Sequence, residues 1–496
     1  MTNSRYLLAI DQGTSSSRTV IYDNAATVLA SAQQEFEQIY PQPGWVEHDP
    51  EAIWASVENV TRKVLADVGA SAADITAIGI TNQRETTLLW DRDTGRCVYN
   101  AIVWQDRRTA ATCDALRNAG AEALVIGKTG LRLDPYFSAT KIAWMLENVD
   151  GVREQAASGR LAFGTVDSFL LWRLTGGRVH ATDASNASRT LLFNIHSQEW
   201  DDELLELFNI PRHILPEALD CAADFGETDK ELFGGPVPVM GMAGDQQAAL
   251  IGQAGFSTGM TKSTYGTGCF AIANTGSEAL VSNNKLLTTV ASRIEGKVTY
   301  GLEGSVFVAG SAMQWLRDEL RIIDSAPESE AIAKSTGVVD DVYVVPAFAG
   351  LGAPWWDPHA RGAILGLSRG SSRDEIVTAT LQAVAYQTRD LIDAMSDDGV
   401  APSIIRVDGG MVGNDWFLQF LADVLDIPVE RPVNVESTVL GAAYLAAIQS
   451  GVIKSIDDIA SMWERDAVFE PAMSSDRRDQ LLAGWARAVA RVRAGD

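Results

Sequence analysis

The sequence has few of the residues on which disulfide frameworks and metal centres are built. Its 496 residues include only four cysteines and five histidines. Neither residue type shows a C-x-x-C pair or the spacing of a zinc site. We therefore expect the cysteines to be free thiols in a reducing cytoplasm. They are Cys97, Cys113, Cys221 and Cys269.

Long hydrophobic runs and an excess of positive charge are also missing. No apolar run reaches the roughly 18 residues of a membrane-spanning helix. A strand-like segment begins at Tyr6, which leaves no room for a signal peptide. The formal net charge of −25 argues against a nucleic-acid-binding protein, which would carry a basic surface. The composition predicts a globular protein, because 46% of the residues are hydrophobic and 21% are charged.

The stretch from Tyr6 to Tyr22 has the pattern of a β-hairpin with an unusual turn. Two apolar runs enclose the segment D-Q-G-T-S-S-S-R, which spans residues 11–18. Gly13 allows close backbone approach to a ligand, and successive N–H and hydroxyl groups can cradle phosphate oxygens. Asp11 is placed to hold a hydrated Mg²⁺, and Arg18 to neutralise phosphate charge. A lone turn of this kind is more often a solvated loop, so a second signal is needed.

Similar chemistry returns in the second half of the chain. The segment T-K-S-T-Y-G-T-G spans residues 261–268 and again combines hydroxyl groups with glycine. Ser305, Gly310 and Ser311 keep a helix start open for an anion, and a third glycine turn lies at 408–410. Length alone suggests about three domains. Two hydroxyl-rich loops some 250 residues apart nevertheless predict two related halves facing one nucleotide.

Several strands of the first half end in polar groups, as at the ligand edge of an α/β sheet. The buried-type strand at 75–81 runs into Arg84 and Glu85, although a surface ion pair would explain these two residues equally well. The strand at 237–244 ends at Asp245, which could also be a helix N-cap. We place a domain boundary just after this residue, with domains at 1–251 and 252–496. The segment 182–188 reads as a polar loop, and the last helix, from Arg477, as peripheral.

Taken together, these segments resemble those of a known group of enzymes. The three glycine segments at 11–18, 265–268 and 408–410 resemble the nucleotide-contacting segments of the sugar kinase, actin and heat-shock chaperone superfamily. Within it, the stretch from Tyr136 to Asn148 resembles the signature of the FGGY family of carbohydrate kinases. The similarity is closest to family members that act on glycerol. It is carried by P-G-W-V-E-H-D-P at 43–50, I-T-N-Q-R-E-T-T at 80–87, D-P-Y-F-S at 134–138, N-A-S-R-T at 186–190 and G-L-G-A-P-W-W-D-P at 350–358.

This resemblance implies a fold, an activity and a set of site residues. The fold is α/β, with two ribonuclease H-like domains of the actin-like ATPase type and an active-site cleft between them. The activity is Mg²⁺-dependent transfer of phosphate from ATP to a terminal hydroxyl of glycerol, with Asp245 as general base assisted by Arg18. The polyol is expected on Arg84, Glu85, Tyr136, Asp245 and Gln246, with Trp104 and Phe270 against its carbons. The nucleotide and its metal are expected on Asp11, Thr14, Ser15, Ser16, Arg18, Thr267, Gly310, Gln314, Gly410 and Asn414.

The resemblance also bears on partners and regulation. Relatives of this kind self-associate, so we expect a homo-oligomer, a dimer or a tetramer. The segment 233–238 lacks the arginine of the fructose bisphosphate inhibitory site of some relatives, and no histidine lies between His213 and His359 for activation by phosphorylation. We expect neither form of regulation.

Two other functions remain open at this point. One is a carbohydrate kinase for a pentulose or another polyol, which would keep the nucleotide loops but change the residues around Arg84, Glu85 and Tyr136. The other is an actin-like or chaperone-like ATPase, which binds ATP without phosphorylating a small molecule. Such proteins lack the Arg84–Glu85 and Asp245–Gln246 combination.

Overall fold

The computed structural model describes residues 6–357 and 359–493. Up to residue 252, these form a five-stranded sheet with helices and several short ribbons. The elements are β1 Tyr6–Gln12, β2 Ser16–Asp23, β3 Val28–Glu35, β4 Glu47–His48, α1 Pro50–Val68, β5 Ile75–Asn82, β6 Leu88–Asp91, β7 Ala101–Ile102, α2 Ala110–Asn118, α3 Glu122–Thr129, α4 Ser138–Asn148, α5 Val152–Ala157, β8 Leu161–Gly164, α6 Val166–Leu174, β9 Ala181–Asp183, α7 Ala184–Ala187, β10 Phe193–Asn194, β11 Glu199–Trp200, α8 Asp202–Phe208, β12 Glu217–Leu219, α9 Lys230–Phe233, β13 Val239–Gly244 and α10 Asp245–Gly252.

The rest of the chain builds a seven-stranded sheet with its own helices. Its elements are β14 Thr261–Tyr265, β15 Cys269–Gly276, β16 Leu287–Ile294, β17 Lys297–Val306, α11 Gly310–Asp318, α12 Glu328–Thr336, β18 Tyr343–Val345, β19 Ala363–Leu365, α13 Arg373–Asp397, β20 Ile405–Asp408, α14 Asp415–Leu425, β21 Val429–Pro432, α15 Ser437–Gln449, α16 Ile456–Met462, β22 Arg465–Phe469 and α17 Ser475–Arg493. Three short 3₁₀ segments lie at Ala72–Asp74, Arg212–Ile214 and Gly410–Gly413.

The two sheets share one strand arrangement. In the first, the order is β13-β5-β1-β2-β3, with β1 antiparallel to β2 and parallel to β5. In the second, the segment β21-β20-β14-β15-β17 repeats that pattern, with β14 antiparallel to β15 and parallel to β20. Each hairpin therefore lies in the middle of its sheet, with parallel strands on one side. This agrees with the expectation of two related halves.

Both faces of the first sheet are covered, which explains the unbroken apolar run of β1. Leu8 and Ile10 point into a core shared with α1 and α6. Leu7 and Ala9 point to the opposite face, where they pack with α15. Because successive side chains of a strand alternate between faces, a strand buried on both sides needs apolar residues throughout.

Helices α10 and α15 link the two halves. Helix α15 comes from the second half, yet it packs against α10 and against strands β1, β5 and β13 of the first sheet. Glycines make the close approach possible. A Cβ on Gly441 would lie 1.9 Å from the carbonyl oxygen of Ala248, and one on Gly79 would lie 2.0 Å from that of Ala442. This close contact places the end of β13 and the start of α10 against the second half.

Two expectations from the sequence are wrong in detail. The segment 182–188 is not a loop, because β9 and a helical turn capped by the Asp183 carboxylate pass through it, buried in the interior. Helix α17 is not peripheral, since Leu481 and Trp485 belong to the largest core cluster. In both cases, contacts with distant segments give the residues a role that local polarity does not indicate.

Other expectations hold in the part of the chain that the structure describes. Helix α1 starts with Pro50 behind the Asp49 cap, which is the order that local helix-start preferences favour. All four cysteines are free thiols. Among the described residues, no helix combines the length and apolar character needed to cross a bilayer.

Candidate active site

The tip of the first hairpin presents exposed backbone and hydroxyl groups. The Gly13 N–H donates to the carbonyl of Ser16 at 2.9 Å, which closes a tight turn, and Ser15 at its apex is exposed. Asp11 and Arg18 are directly opposite each other on β1 and β2. The hairpin therefore places a carboxylate and a guanidinium beside one hydroxyl-rich turn, as predicted.

The glycine segments of the second half come together in a second open surface. The N–H of Gly310 donates to the carbonyl of Gly266 at 2.9 Å, so the start of α11 lies against the β14–β15 turn. Gly409 has φ +92°, and a Cβ there would lie 2.5 Å from the carbonyl oxygen of Tyr265. Three segments separated by up to 140 positions thus share one site. Thr267 and Gly410 are exposed on it.

Two further residues expected at the nucleotide, Asn414 and Gln314, belong to helices of the second half. Asn414 caps α14, and its side-chain oxygen accepts a hydrogen bond from the N–H of Phe417 at 2.9 Å. Gln314 is exposed on α11. The cap already explains Asn414 structurally, so its contact with a nucleotide stays a prediction.

Arg84 is almost fully buried at the end of β5 and is surrounded by acceptors. Its Nε lies 3.1 Å from Oδ1 of Asp245, and its Nη1 lies 2.5 Å from Oε2 of Glu303. Its Nη2 donates to the Tyr136 hydroxyl at 3.4 Å. Burial alone would lower the pKa of this guanidinium, but the surrounding groups, Glu303 first, raise it above its ordinary value. Arg84 is therefore a fixed cation, and the surface ion pair considered above is excluded.

Glu85 follows in a backbone conformation that is rare for a residue with a side chain. Its φ is +60°, in the left-handed region. Its carbonyl accepts hydrogen bonds from Ser138 at 3.0 Å and from Lys141 at 3.2 Å, and its Oε1 accepts one from Arg189 at 2.6 Å. Such a conformation persists only when its surroundings hold it, and it is enriched at functional sites.

Three aromatic side chains surround this polar group. The Trp104 ring contacts Tyr136 edge-on at 5.6 Å between centroids, and it contacts Phe270 at 6.3 Å. Its Nε1 donates to Oγ1 of Thr14 at 2.9 Å. Phe270 belongs to β15, whereas Trp104 and Tyr136 belong to the first half. The aromatic wall therefore spans both halves and contacts the first hairpin turn directly.

Asp245 is the partly exposed carboxylate of the site. It is the first residue of α10, with Gly244 as the cap, and 30% of its side chain is exposed while Arg84 beside it is buried. The neighbouring Gln246 accepts a hydrogen bond from Lys262. Burial lowers the pKa of Lys262 to about 8, with Asp408 and Asp245 opposing that shift. A rigid strand-to-helix junction thus presents one accessible carboxylate.

The first hairpin carries one carboxylate of the kind that binds divalent cations, Asp11. Burial first, and then the nearby Asp245 carboxylate, raise the pKa of Asp11 to about 7. Oδ1 of the buried Asp408, at the end of β20 in the second half, has no hydrogen-bond partner among the described residues. In that part of the chain, no group of three or more acidic, cysteine or histidine side chains could hold a metal by itself. Mg²⁺ does not require one, because it binds through one or two carboxylates, water and phosphate oxygens.

Arg18 has a partner that the sequence did not predict. Its Nη1 lies 2.5 Å from Oε2 of Glu436, just before α15. The sequence analysis assigned no role to four charged residues near the site, which are Lys141, Arg189, Glu303 and Glu436. Glu303 had a signal, since it is the one charged residue in the otherwise small and apolar run from Gly301 to Val306. Arg189 is part of the segment 186–190, which carries the family resemblance, but the sequence analysis gave this residue no role of its own.

The chain matches two family models that together cover most of its length. Residues 6–252 match the N-terminal domain of the FGGY family of carbohydrate kinases, and residues 261–450 match its C-terminal domain. These ranges describe the family match, and the domain boundary after residue 251 stays a prediction.

Named relatives and solved structures are similar over nearly the whole chain. A protein of Ectopseudomonas mendocina named glycerol kinase is 62% identical over 491 residues, or 99% of each chain. One of Pseudomonas aeruginosa named glycerol kinase 1 is 61% identical over 490 residues, again 99% of each chain. The crystal structure of Plasmodium falciparum glycerol kinase with ADP has a TM-score of 0.92 at 36% identity and covers 98% of each chain. A Lactobacillus acidophilus gluconate kinase, 21% identical with a TM-score of 0.89, covers 99% of this chain and 98% of its own and shares the fold.

Proposed function

The chain belongs to the FGGY family of carbohydrate kinases, and on that basis we propose that it transfers a phosphoryl group from ATP to a terminal hydroxyl of glycerol. The products are sn-glycerol 3-phosphate and ADP, so the enzyme would open glycerol catabolism. Support comes from relatives named glycerol kinase at about 60% identity over almost the entire chain and from the similarity to a glycerol kinase structure with ADP.

The observation that carries the proposal is the placement of Asp245. Its partly exposed carboxylate starts α10, beside Arg84 and within electrostatic range of Asp11 on the first hairpin. A hydroxyl bound at this carboxylate would face the turn that offers groups for phosphate. A carboxylate is a weak base toward an alcohol, but phosphoryl transfer passes through a loose transition state. Asp245 would therefore act mainly by holding the hydroxyl oxygen in line with the γ-phosphate of ATP. It would accept the hydroxyl proton late in the reaction.

The surrounding residues suit a small triol. Gln246 and Tyr136 supply polar groups beside Asp245. The buried Arg84 and Glu85 set the charge of the pocket beneath them. Trp104 and Phe270 would cover the carbon backbone, which is the arrangement of small-molecule sites with a few polar groups on an apolar wall.

The nucleotide would lie across the two open loops. On the first hairpin, Thr14, Ser15 and Ser16 offer hydroxyl and N–H groups for phosphate oxygens. On the second surface, Thr267, Gly310, Gln314, Gly410 and Asn414 are the proposed contacts. Asp11 would hold Mg²⁺, which neutralises charge on the phosphates when it is bound. Arg18 would add positive charge near the transferred group, in exchange for its contact with Glu436.

Exclusion of water would separate this activity from ATP hydrolysis. The aromatic wall of Trp104, Tyr136 and Phe270 would help to keep water, the competing nucleophile, away from the reacting groups. Since residues of both halves form that wall, closing the cleft would complete it, as in other enzymes that sequester their reaction from solvent.

The test is ADP release from MgATP with glycerol, with a panel of other polyols and ketoses, and with no acceptor. Turnover that depends on glycerol supports the proposal. Turnover with a different polyol overturns the substrate while keeping the kinase mechanism. Equal turnover without an acceptor overturns the kinase function and favours an ATPase on the same fold.

The setting of the enzyme is part of the proposal. We propose that it works in the cytoplasm, where ATP is available, as a homodimer or homotetramer. The four free thiols agree with a reducing compartment. Sedimentation analysis of the purified protein would give its oligomeric state.

A further inference from the structure

One carboxylate connects the charged groups of the polyol pocket. Oε1 and Oε2 of Glu303 accept hydrogen bonds from Arg84 at 3.2 and 2.5 Å, and Oε1 also accepts one from Arg189 at 2.9 Å. Arg84 in turn contacts Asp245 at 3.1 Å, and Arg189 contacts Glu85 at 2.6 Å. We call these five residues the Glu303 cluster. Its charges alternate in sign, with Glu303 at the centre and the two pocket carboxylates at the ends.

Glu303 reaches the cluster from the second half of the chain. It lies on β17 of the seven-stranded sheet, whereas the other four members precede Gly252. Its contact with Arg84 joins residues 219 positions apart. The geometry of the pocket carboxylates therefore depends on how the second sheet packs against the first.

Four of the five members, all except Asp245, are shielded from solvent that could compensate for a missing partner. Arg84, Glu85, Arg189 and Glu303 are each at most 2% exposed. Burial would raise the pKa of Glu303, but Arg189 and Arg84 outweigh it and lower the value to about 2. Glu303 is therefore ionised at any pH at which the enzyme works.

Arg189 is buried with two carboxylate partners, Glu85 and Glu303. Its Nη1 has no hydrogen-bond partner among the described residues, and its guanidinium carbon lies 5.3 Å from the Phe137 ring centroid. Without Glu303, two buried guanidinium groups would repel each other and draw on Asp245 and Glu85 alone. Removing one member of a buried ion pair is costly because the other charge stays unpaired.

We propose that Glu303 is a positioning residue of the polyol site, which holds Arg84 and Arg189 so that they orient Asp245 and Glu85 toward the acceptor. This inference rests on the proposed function of the site. Glu303 itself need not touch the substrate. Among the described residues, no side-chain hydrogen bond or ion pair of the cluster reaches the hydroxyl-rich hairpin turn or the second glycine surface. The effect should therefore fall mainly on the acceptor and largely spare the nucleotide.

The experiment compares E303Q, E303D and the control E430Q. Glu430 is the matched residue, because it is a largely buried carboxylate of the same sheet that contacts two arginines, Arg406 at 3.2 Å and Arg465 at 2.9 Å, away from the pocket. For each purified protein, the measured quantities are kcat, the KM for the acceptor, the KM for ATP and the melting temperature.

We expect E303Q to raise the KM for glycerol at least about tenfold with the KM for ATP changed less than about twofold. E303D keeps the charge, so its KM for glycerol should rise less than that of E303Q. E430Q should leave both KM values unchanged. If E303Q does not fold, a raised glycerol KM in E303D with normal ATP KM supports the proposal. If Glu303 had a purely structural role, kcat would fall in proportion to the fraction of active protein and both KM values would stay unchanged. That result would overturn the proposal.

Failure of the proposed function would appear in a different measurement from failure of this inference. The unaltered protein would then show no glycerol-dependent ADP release. If the unaltered protein instead used another polyol, the same KM comparison with that polyol would test Glu303 independently. An unchanged acceptor KM in the E303 variants would overturn the positioning role whichever polyol is used.

Discussion

At the scale of single residues, the accessibility of Asp245 distinguishes it from the charges around it. Glu85 and Glu303 each pair with Arg84 in the interior, whereas Asp245 keeps nearly a third of its side chain exposed. A group that must meet a substrate cannot have all its oxygens occupied by protein donors. This difference in exposure separates the proposed base from the residues that hold it.

Replacing Asp245 by asparagine tests this assignment. Asp245→Asn keeps the shape but removes the charge that aligns the hydroxyl and accepts its proton, so kcat should fall about 10²–10⁴-fold while binding survives. Steady-state kinetics and calorimetric binding of ATP and glycerol would measure both effects. Asp202→Asn is the control, because Asp202 is also the first residue of its helix but lies exposed on α8. Near-normal turnover of Asp245→Asn would rule out the proposed role.

The hydrogen bond from Trp104 to Thr14 is the second feature at this scale. It connects the aromatic wall to the hairpin turn proposed for phosphate, at 2.9 Å from Nε1 to Oγ1. Trp104→Phe keeps an aromatic ring but removes the donor together with the smaller ring of the indole. Loss of a hydrogen bond of about 1 kcal/mol corresponds to roughly a fivefold effect, which we expect in the KM for ATP.

A double-mutant cycle with Thr14→Val provides the check on that bond. If the two side chains act through one hydrogen bond, the second substitution should add little to the first. Fully additive effects, or an unchanged KM for ATP in Trp104→Phe, would contradict the link between the wall and the turn.

At the scale of elements, helix termini show where the local sequence is sufficient to determine the structure. Helix α13 begins with a capping box, in which Ser372 accepts from the N–H of Glu375 at 3.3 Å and Glu375 accepts from the N–H of Ser372 at 2.6 Å. Both partners lie within four residues, so this start follows from sequence alone. The N-cap at Asp49 follows in the same way.

Removing the cap of α13 should destabilise the protein without impairing catalysis. Ser372→Ala leaves helix N–H groups without their acceptor, so the free energy of unfolding should fall by about 1 kcal/mol. Thermal or denaturant unfolding would measure it, with kcat expected to stay normal. Ser396→Ala, in the last turns of the same helix, is the control and should change stability less. Equal effects of the two substitutions would contradict the capping role.

At the scale of the whole molecule, the contact between α10 and α15 joins the halves. The carbonyl of Ala248 lies where a side chain at Gly441 would begin, and the carbonyl of Ser437 lies where one at Gly252 would begin. Both contacts exclude any residue larger than glycine without a shift of one helix. Because α10 starts with Asp245, the same packing fixes the position of the proposed base.

Gly441→Ala should therefore affect stability and catalysis together. The added methyl group overpacks the contact, which typically costs 1–3 kcal/mol, and a displaced α10 should lower kcat. Gly127→Ala is the control, since Gly127 also lies within a helix but a Cβ there meets nothing within 4 Å. That variant should be as stable as the unaltered protein or slightly more so. Equal stability of the two variants would disprove the packing argument.

By itself, the sequence determined the local parts of this protein. The first hairpin, the strand-to-helix junction at Asp245 and the glycine turns were predicted because each depends on neighbours a few residues away. Resemblance to the FGGY family supplied the fold and the expected site residues. Tertiary structure alone decided that Glu303 and Arg189 complete the charges around Arg84, that Glu436 contacts Arg18, and that α15 packs on the first sheet. These partners are buried charges and close helix contacts whose members lie far apart along the chain, and only the packing of the two sheets selects them.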